Sequence, residues 1–264
     1  MNILMIGDIF GRPGRELIKT LLPKIVEEER IDFVVANGEN AAGGKGITKK
    51  IAEELLLLPI DVMTGGNHIW EQEDLFPILS SAPILRPYNV KENLPGRGWD
   101  LFISSNKTRI AVVCLQGLMF MDNKGAEGTS PFAAMDKVLY KIKEKKADII
   151  LVDFHAEATS EKRSMGWYLE GKVSAIVGTH THVQTADEGI LPGGTAYISD
   201  LGMTGPHHSV IGLDKDVAIH RFLTGDKKGF KVAKEGARFE GVVINIDETS
   251  GKAKSIKRIQ KSSL

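Results

Sequence analysis

Asp32-Phe33-Val34-Val35-Ala36-Asn37-Gly38-Glu39-Asn40 is a short apolar run that breaks off in a polar, glycine-containing turn. Such a run suits a strand buried on both faces. The same design recurs along the chain. Ile3-Leu4-Met5-Ile6 stops at Gly7-Asp8, and Asp61-Val62-Met63-Thr64 stops at Gly65-Gly66-Asn67-His68. Asp148-Ile149-Ile150-Leu151-Val152-Asp153-Phe154 delivers His155, and Val173-Ser174-Ala175-Ile176-Val177-Gly178 delivers Thr179-His180-Thr181-His182. Helical spacing separates the early runs. Pro13 suits a first helical turn, and Leu17, Ile18, Leu21, Leu22, Ile25 and Val26 follow it. A second helix is expected from about Thr48, as N-cap, to Leu58, and a third from about Pro131 to Glu144. Lys107–Leu115 and Thr195–Ser199 read as further strands, and Val242–Asp247 is the clearest run of a β-like region after Phe230. With no internal repeat and no linker, the alternation predicts one α/β domain over residues 1–264.

Composition narrows the function classes. The 264 residues hold 34 Lys+Arg and 34 Asp+Glu, a formal net charge of zero. That balance argues against a protein that coats nucleic acid, since such binding needs surplus cations to displace counterions. The 42% hydrophobic and 26% charged residues fit a folded soluble protein. Cys114 has no partner for an internal disulfide and reads as a buried, inert strand thiol. The N-terminus lacks a basic segment and a long apolar stretch, and no run approaches the roughly 18 apolar residues of a membrane span. A cytoplasmic location with no membrane partner is expected.

The chemistry-bearing residues fall after strands. Asp8, Glu39-Asn40, Asn67-His68, His155, and His180 with His182 each follow an apolar run. In α/β sheets, loops at the carboxyl ends of strands converge in space. A lone strand-end histidine is commonly a hydrogen-bonded loop residue; repetition after five strands is harder to dismiss. Carboxylate and amide oxygens suit hard cations, and imidazole suits transition metals. The mixture contains enough oxygen and nitrogen donors for two ions sharing one carboxylate, the arrangement that clamps both oxygens of a phosphoryl displacement. A structural zinc site would favour cysteine.

The order Gly7-Asp8, Gly38-Glu39-Asn40, Gly66-Asn67-His68, His155, Gly178-Thr179-His180-Thr181-His182 resembles the motifs of calcineurin-like metallophosphoesterases, D-x-H, G-D-x-x-G, G-N-H, H and G-H-x-H. Three positions depart from them: Phe10 replaces a histidine, Glu39 an aspartate, and Thr179 is inserted after Gly178. With these departures, the chain resembles the YmdB-like family across nearly its whole length. The shared runs include Asn37–Ala42, Asp153–Ser160, Gly178–Thr185 and Gly202–Pro206. The resemblance implies a four-layer α/β/β/α sandwich and two iron ions, with manganese the alternative. It implies Asp8, Glu39, Asn40 and His182 on one ion and Glu39, Asn67, His155 and His180 on the other. Asn40 would stand in for the histidine absent at position 10, and His68 would be the catalytic acid. The implied activity converts 2′,3′-cyclic nucleotides to 3′-nucleotides, by in-line attack of a hydroxide shared between the ions.

Other features have plainer readings. The Gly38–Gly46 segment does not satisfy the phosphate-loop spacing around Lys45, because position 39 is Glu where Gly is required and position 46 is Gly where Ser or Thr is required. Lys45 reads as solvated, Arg12 as a surface residue, and His207 and His208 as loop residues. His220 reads as structural. Glu157 and Thr159 adjoin His155 and could support a ligand. The alternating tail Lys252–Lys261 predicts a half-exposed edge strand protected by lysines. No aromatic cage for a base is evident, so little discrimination among bases is expected. Two alternatives stand: hydrolysis of a longer RNA by the same metals, and a metal-bearing regulatory protein that binds a nucleotide or partner. A homo-oligomer is compatible with the sequence.

Overall fold

The computed structural model describes residues 1–90, 93–121, 128–226 and 229–262. The chain opens with β1 (Asn2–Ile6), β2 (Asp8–Ile9), α1 (Gly11–Glu28), β3 (Phe33–Asn37), α2 (Lys49–Leu56), β4 (Val62–Thr64), α3 (Phe76–Leu79) and β5 (Ile84–Leu85). It continues through β6 (Trp99–Ile103), β7 (Arg109–Gln116), α4 (Pro131–Lys145), β8 (Ile149–His155), α5 (Thr159–Leu169) and β9 (Ala175–Thr179). The last elements are β10 (Gly189–Ile190), β11 (Ala196–Ile198), β12 (Met203–Pro206), α6 (Lys215–Thr224), β13 (Ala237–Ile246) and β14 (Ala253–Ser262).

Two sheets result. The first runs β2-β12-β13-β1-β3-β4-β5, with β14 paired to β13. Its β1, β3, β4 and β5 are parallel, while β13 is antiparallel to both β1 and β14. The second runs β10-β11-β9-β8-β7-β6, parallel from β11 to β7 and antiparallel at both edges.

The apolar runs explain the layers. A strand's side chains alternate between faces, so a continuous apolar run serves two cores at once. In β1, Leu4 and Ile6 meet Ile18, Leu22 and Ile25 of α1, while Ile3 and Met5 face the other way. The middle layer joins Ile3, Met5, Phe33 and Val35 to Val112, Cys114, Leu151 and Val177 of the second sheet. Beyond it, Val113, Val152 and Phe154 pack on Met135 and Val138 of α4 and on Met165 and Leu169 of α5. The order is helix, sheet, sheet, helix, as expected. Among the described residues no helix is long and apolar enough to cross a membrane.

Several local expectations meet their physical cause. Thr48 accepts from Ile51 N at 3.3 Å and caps α2. The tail is β14, paired with β13 along its length, with Ala253 and Ile259 inward and most lysines outward. Two elements depart from the sequence reading. The edge strand β6 is only half-buried and shows no long apolar run. Helix α5 hides Glu161 and Lys162 on its inner face with Met165 and Leu169, so apolar periodicity is broken where the helix is most buried.

The reason for that burial is a clamp. Lys162 Nζ donates to Asp200 Oδ2 at 2.6 Å, and their side chains are 3% and 1% exposed. Asp200 also accepts from Thr181 N at 3.1 Å, Thr181 Oγ1 at 2.7 Å and Gly202 N at 2.8 Å. It thereby ties the segment carrying His180 and His182 to the entry of β12. Removing one partner of such a pair strands the other charge without solvent. Lys162→Met is expected to cost about 3–5 kcal/mol of stability. Guanidinium unfolding of the variant checks this, and a loss below about 1 kcal/mol would mean that Asp200 finds other compensation.

Candidate metal centre

The site forms where the parallel strands of both sheets end. Glu39 and Asn40 follow β3, Asn67 and His68 follow β4, His155 ends β8, and His180 and His182 follow β9. Asp8 starts β2, directly after β1. The sheets are pinned together beside it: Asn37 Nδ2 donates to Asp153 Oδ2 at 3.1 Å, and Cys114 Sγ lies 3.2 Å from Gly65 O. Asp8, Glu39, Asn40, His155 and His182 are buried, and Asn67, His68 and His180 are half-buried.

Two groups of donors meet at Glu39. In the first, Asn40 Nδ2 donates to Asp8 Oδ1 at 3.3 Å, to Glu39 Oε1 at 3.2 Å, and lies 3.2 Å from His182 Nε2. Three acceptors therefore aim at one point. In the second, His155 Nε2 lies 2.9 Å from Glu39 Oε1, 3.2 Å from Asn67 Oδ1 and 3.0 Å from His180 Nδ1. Ligand atoms of Glu39, His155 and His180 all fall within 4.8 Å of one another. The remaining Glu39 oxygen accepts from His68 N at 3.2 Å.

Gly66 makes this convergence sterically feasible. A Cβ there would sit 2.1 Å from Glu39 Oε2 and 2.4 Å from His155 Nε2, so any side chain would displace the carboxylate or the ring. The backbone is also strained: His180 and His182 have φ of 97° and 63°, and Ile211 beside them has 48°. Left-handed backbone at non-glycine residues costs of order 1–3 kcal/mol each and concentrates at functional sites.

Each imidazole is fixed by a partner on its far side. His155 Nδ1 donates to Thr179 Oγ1 at 2.9 Å, and Thr179 donates in turn to Asp153 Oδ1 at 2.7 Å. Asp153 also accepts from Thr64 Oγ1 at 2.5 Å. His180 Nε2 lies 3.2 Å from Glu157 Oε2, and His182 Nδ1 donates to Ile211 O at 2.9 Å. These contacts leave His155 Nε2, His180 Nδ1 and His182 Nε2 turned to the centre.

Electrostatics bear the marks of cation demand. Burial alone would lower the His155 pKa, but Glu39, Asp8 and Asp153 push it up to about 9. Burial and the neighbouring His155 take His180 down to about 3. Burial opposes ionisation of Asp8 and Glu39, yet His182 and His155 respectively hold both carboxyls below their ordinary range. Burial raises Asp153 to about 6. The cluster thus favours positive charge between its carboxylates, and it admits that charge on one of the two facing rings. Its oxygen and imidazole donors fit transition-metal ions.

His207, His208 and Arg12 lie apart from the donors, whereas His220, read as structural, and Lys45, read as solvated, differ from the sequence reading. His207 Nε2 lies 2.9 Å from Met203 O and its Nδ1 2.9 Å from Arg238, outside the site. His208 is 71% exposed at its side chain, and His220 is exposed on α6. Arg12 lies on a separate groove of about 680 Å³ beside α1, not among the donors. Lys45 is half-buried in the wall of the donor pocket, not free in solvent. Thr179 and Asp153 acquire a place beside His155 that apolar patterning had hidden inside a strand. The insertion after Gly178 was the one visible signal.

Thr179→Val keeps the shape but removes the hydroxyl between His155 and Asp153. Losing such an orienting contact typically lowers metal affinity about 10–100-fold. Metal competition titrations on Thr179→Val and Thr179→Ser should show the loss in the first only; equal affinities would remove Thr179 from the orienting role.

Comparisons with known proteins follow this geometry. A Bacillus subtilis (strain 168) protein named 2′,3′-cyclic-nucleotide 2′-phosphodiesterase is 44% identical over 260 residues, 98% of this chain and 96% of that one. The crystal structure of a novel phosphatase from Mycoplasma pneumoniae has a TM-score of 0.93 at 34% identity, over 99% of this chain and 93% of that chain. A 5′-nucleotidase precursor from Thermus thermophilus shares the fold alone, with a TM-score of 0.57 at 12% identity, over 98% of this chain and 54% of that chain. The sandwich is the metallophosphoesterase fold. Residues 4–259 match the family described as YmdB-like protein, and at this extent of match the chain belongs to the YmdB-like family.

Proposed function

We propose that the chain is a metal-dependent phosphodiesterase that opens 2′,3′-cyclic nucleotides to 3′-nucleotides, with residues 1–264 acting as one domain. The observation that carries this reading is the junction at Glu39. One buried carboxylate borders both the Asp8–Asn40–His182 group and the Asn67–His155–His180 group. Asp8, Glu39, Asn40 and His182 would hold one ion, and Glu39, Asn67, His155 and His180 the other, with iron preferred and manganese the alternative. When bound, such ions supply Lewis acidity that offsets phosphoryl charge and lowers the pKa of an attacking water. The name of the Bacillus subtilis relative supports the substrate.

The chain's own residues do the rest. Glu39 and Asp8 supply the negative charge where the ions would be held. The far-side partners lock the three ligand imidazoles in single orientations. His68 lines the pocket, with Nδ1 3.3 Å from Glu71 Oε1 and its backbone N–H on Glu39. Glu71 orients the ring, and Nε2, 3.5 Å from Asn67 Nδ2, would deliver a proton to the departing 2′-oxygen. The pocket, about 350 Å³, suits a nucleotide-sized ligand.

A panel of the four 2′,3′-cyclic nucleotides, with products separated by chromatography, tests the reading. The expected product is the 3′-nucleotide from all four. Predominant 2′-nucleotide would reverse the proposed orientation, and no turnover by metal-loaded protein would favour RNA hydrolysis or a regulatory role. Anomalous scattering at the iron and manganese edges identifies the ions.

A further inference from the structure

The donor pocket has a second wall that the ligand cluster does not use. Beside Glu39, His180 and His182 its lining is apolar, made by Phe10, Ile211, Leu213 and Phe230. These residues divide by exposure. Phe10 is 3% exposed and meets the His182 ring edge-on, with centroids 5.4 Å apart and planes at 77°. It fills space behind a ligand. Phe230 and Ile211 are 41% and 51% exposed. They present uncovered apolar surface inside a polar site.

The Gly44 backbone brings the two aromatics close. Gly44 has φ of +88°, and a Cβ there would lie 2.6 Å from Phe10 Cζ and 3.0 Å from Phe230 Cζ. Both rings therefore rest on the same bare backbone. Phe230 is one ring away from the residue that touches His182. The Lys45 ammonium lies over one face of the Phe230 ring, 5.0 Å from its centroid, so stacking would use the other face or displace this flexible side chain. A ligand with an anionic group and a flat, apolar-faced group would find a partner for each in the lining of this pocket.

We propose that Phe230, with Ile211 beside it, is the stacking platform for the nucleobase of the substrate, an inference that rests on the phosphodiesterase reading above. Stacking on an aromatic face uses the π-surface common to every base. The platform holds the base without choosing among bases. Phe230 lies far along the sequence from every donor, which is why no aromatic cage was legible there.

The test compares two substrates of the metal-loaded protein: 2′,3′-cyclic AMP, and methyl ribofuranoside 2′,3′-cyclic phosphate, which has the same reacting ring and no base. Phe230→Ala should lower the ratio of kcat/KM for the nucleotide over the base-free ester by about 10-fold. Phe230→Trp should restore it. An unchanged ratio in Phe230→Ala overturns the platform, as does a Trp variant no better than Ala. Wild-type protein that hydrolyses neither ester overturns the phosphodiesterase reading. In that event, titration with adenosine 3′-monophosphate decides the platform separately: weaker binding to Phe230→Ala supports it, and equal binding overturns it.

Discussion

Glu39→Gln is expected to empty the centre. The substitution keeps the side chain's volume and removes its charge. It also replaces one acceptor oxygen by an NH2 group. Either placement of that NH2 does harm. On the Oε1 side it faces His155 Nε2 and the Asn40 amide; on the Oε2 side it opposes the His68 N–H. Because the position is fully buried, water cannot repair the mismatch. Both proposed ions lose a ligand, so metal content should fall towards zero. Turnover should fall by more than about 10³-fold, since several kcal/mol of charge stabilisation go with the ions. Asp8→Asn is the contrast. Asp8 Oδ1 faces only the Asn40–His182 group, and Oδ2 accepts from His180 N. One ion should weaken while the other persists. Inductively coupled plasma analysis of both variants measures this, and a Glu39→Gln protein that retains two ions per chain would sink the shared-ligand assignment.

His68→Ala should separate chemistry from metal binding. The ring lies in the pocket wall, and its side chain is 24% exposed. Only its backbone N–H touches Glu39, and alanine keeps that contact. Metal content should hold, while turnover of a cyclic nucleotide drops about 10²–10⁴-fold, the usual loss with a missing general acid. A ribose alkoxide is a poor leaving group without a proton; nitrophenolate needs none. On bis(4-nitrophenyl) phosphate the loss should therefore shrink to a small factor. An equal loss on both substrates would mean that His68 positions the phosphate, and a collapse in metal content would make it a ligand.

What the sequence reveals follows from how each residue is buried. β3, β8 and β9 are packed on both faces, so they are mainly apolar along their length and their polar ends are conspicuous. That contrast exposes Glu39, His155 and His180 together. Edge and clamp elements lack it. β6 is half-buried along most of its length, and α5 spends its inner face on Glu161 and Lys162. Asp153 is the deepest omission. It sits inside the apolar run of β8, where a carboxylate looks like an interruption, and its partners Thr64, Asn37 and Thr179 come from three other strands or their ends. No local pattern links residues 116 and 142 positions apart. The left-handed backbone at His180 and His182 is equally silent, because neither residue type announces it.

The pairing of β1 with β13 has a consequence for how the protein is made. Met5 lies opposite Val242 and Ile6 opposite Gly241, and Gly7 N–H donates to Glu240 O at 3.0 Å. Asp8 N–H donates to Gly202 O at 3.1 Å, in the segment that Asp200 ties down. β1 is thus completed by a strand that lies far later in the chain. At about 5–20 residues per second, roughly 10–50 seconds of synthesis separate them. During that interval the parallel strands β1, β3 and β4 can associate, but the seat of Asp8 is unfinished. A growing chain should therefore acquire its full donor set only once β13 has been made, which delays metal loading until that point and leaves the exposed edge of β1 in need of protection until then.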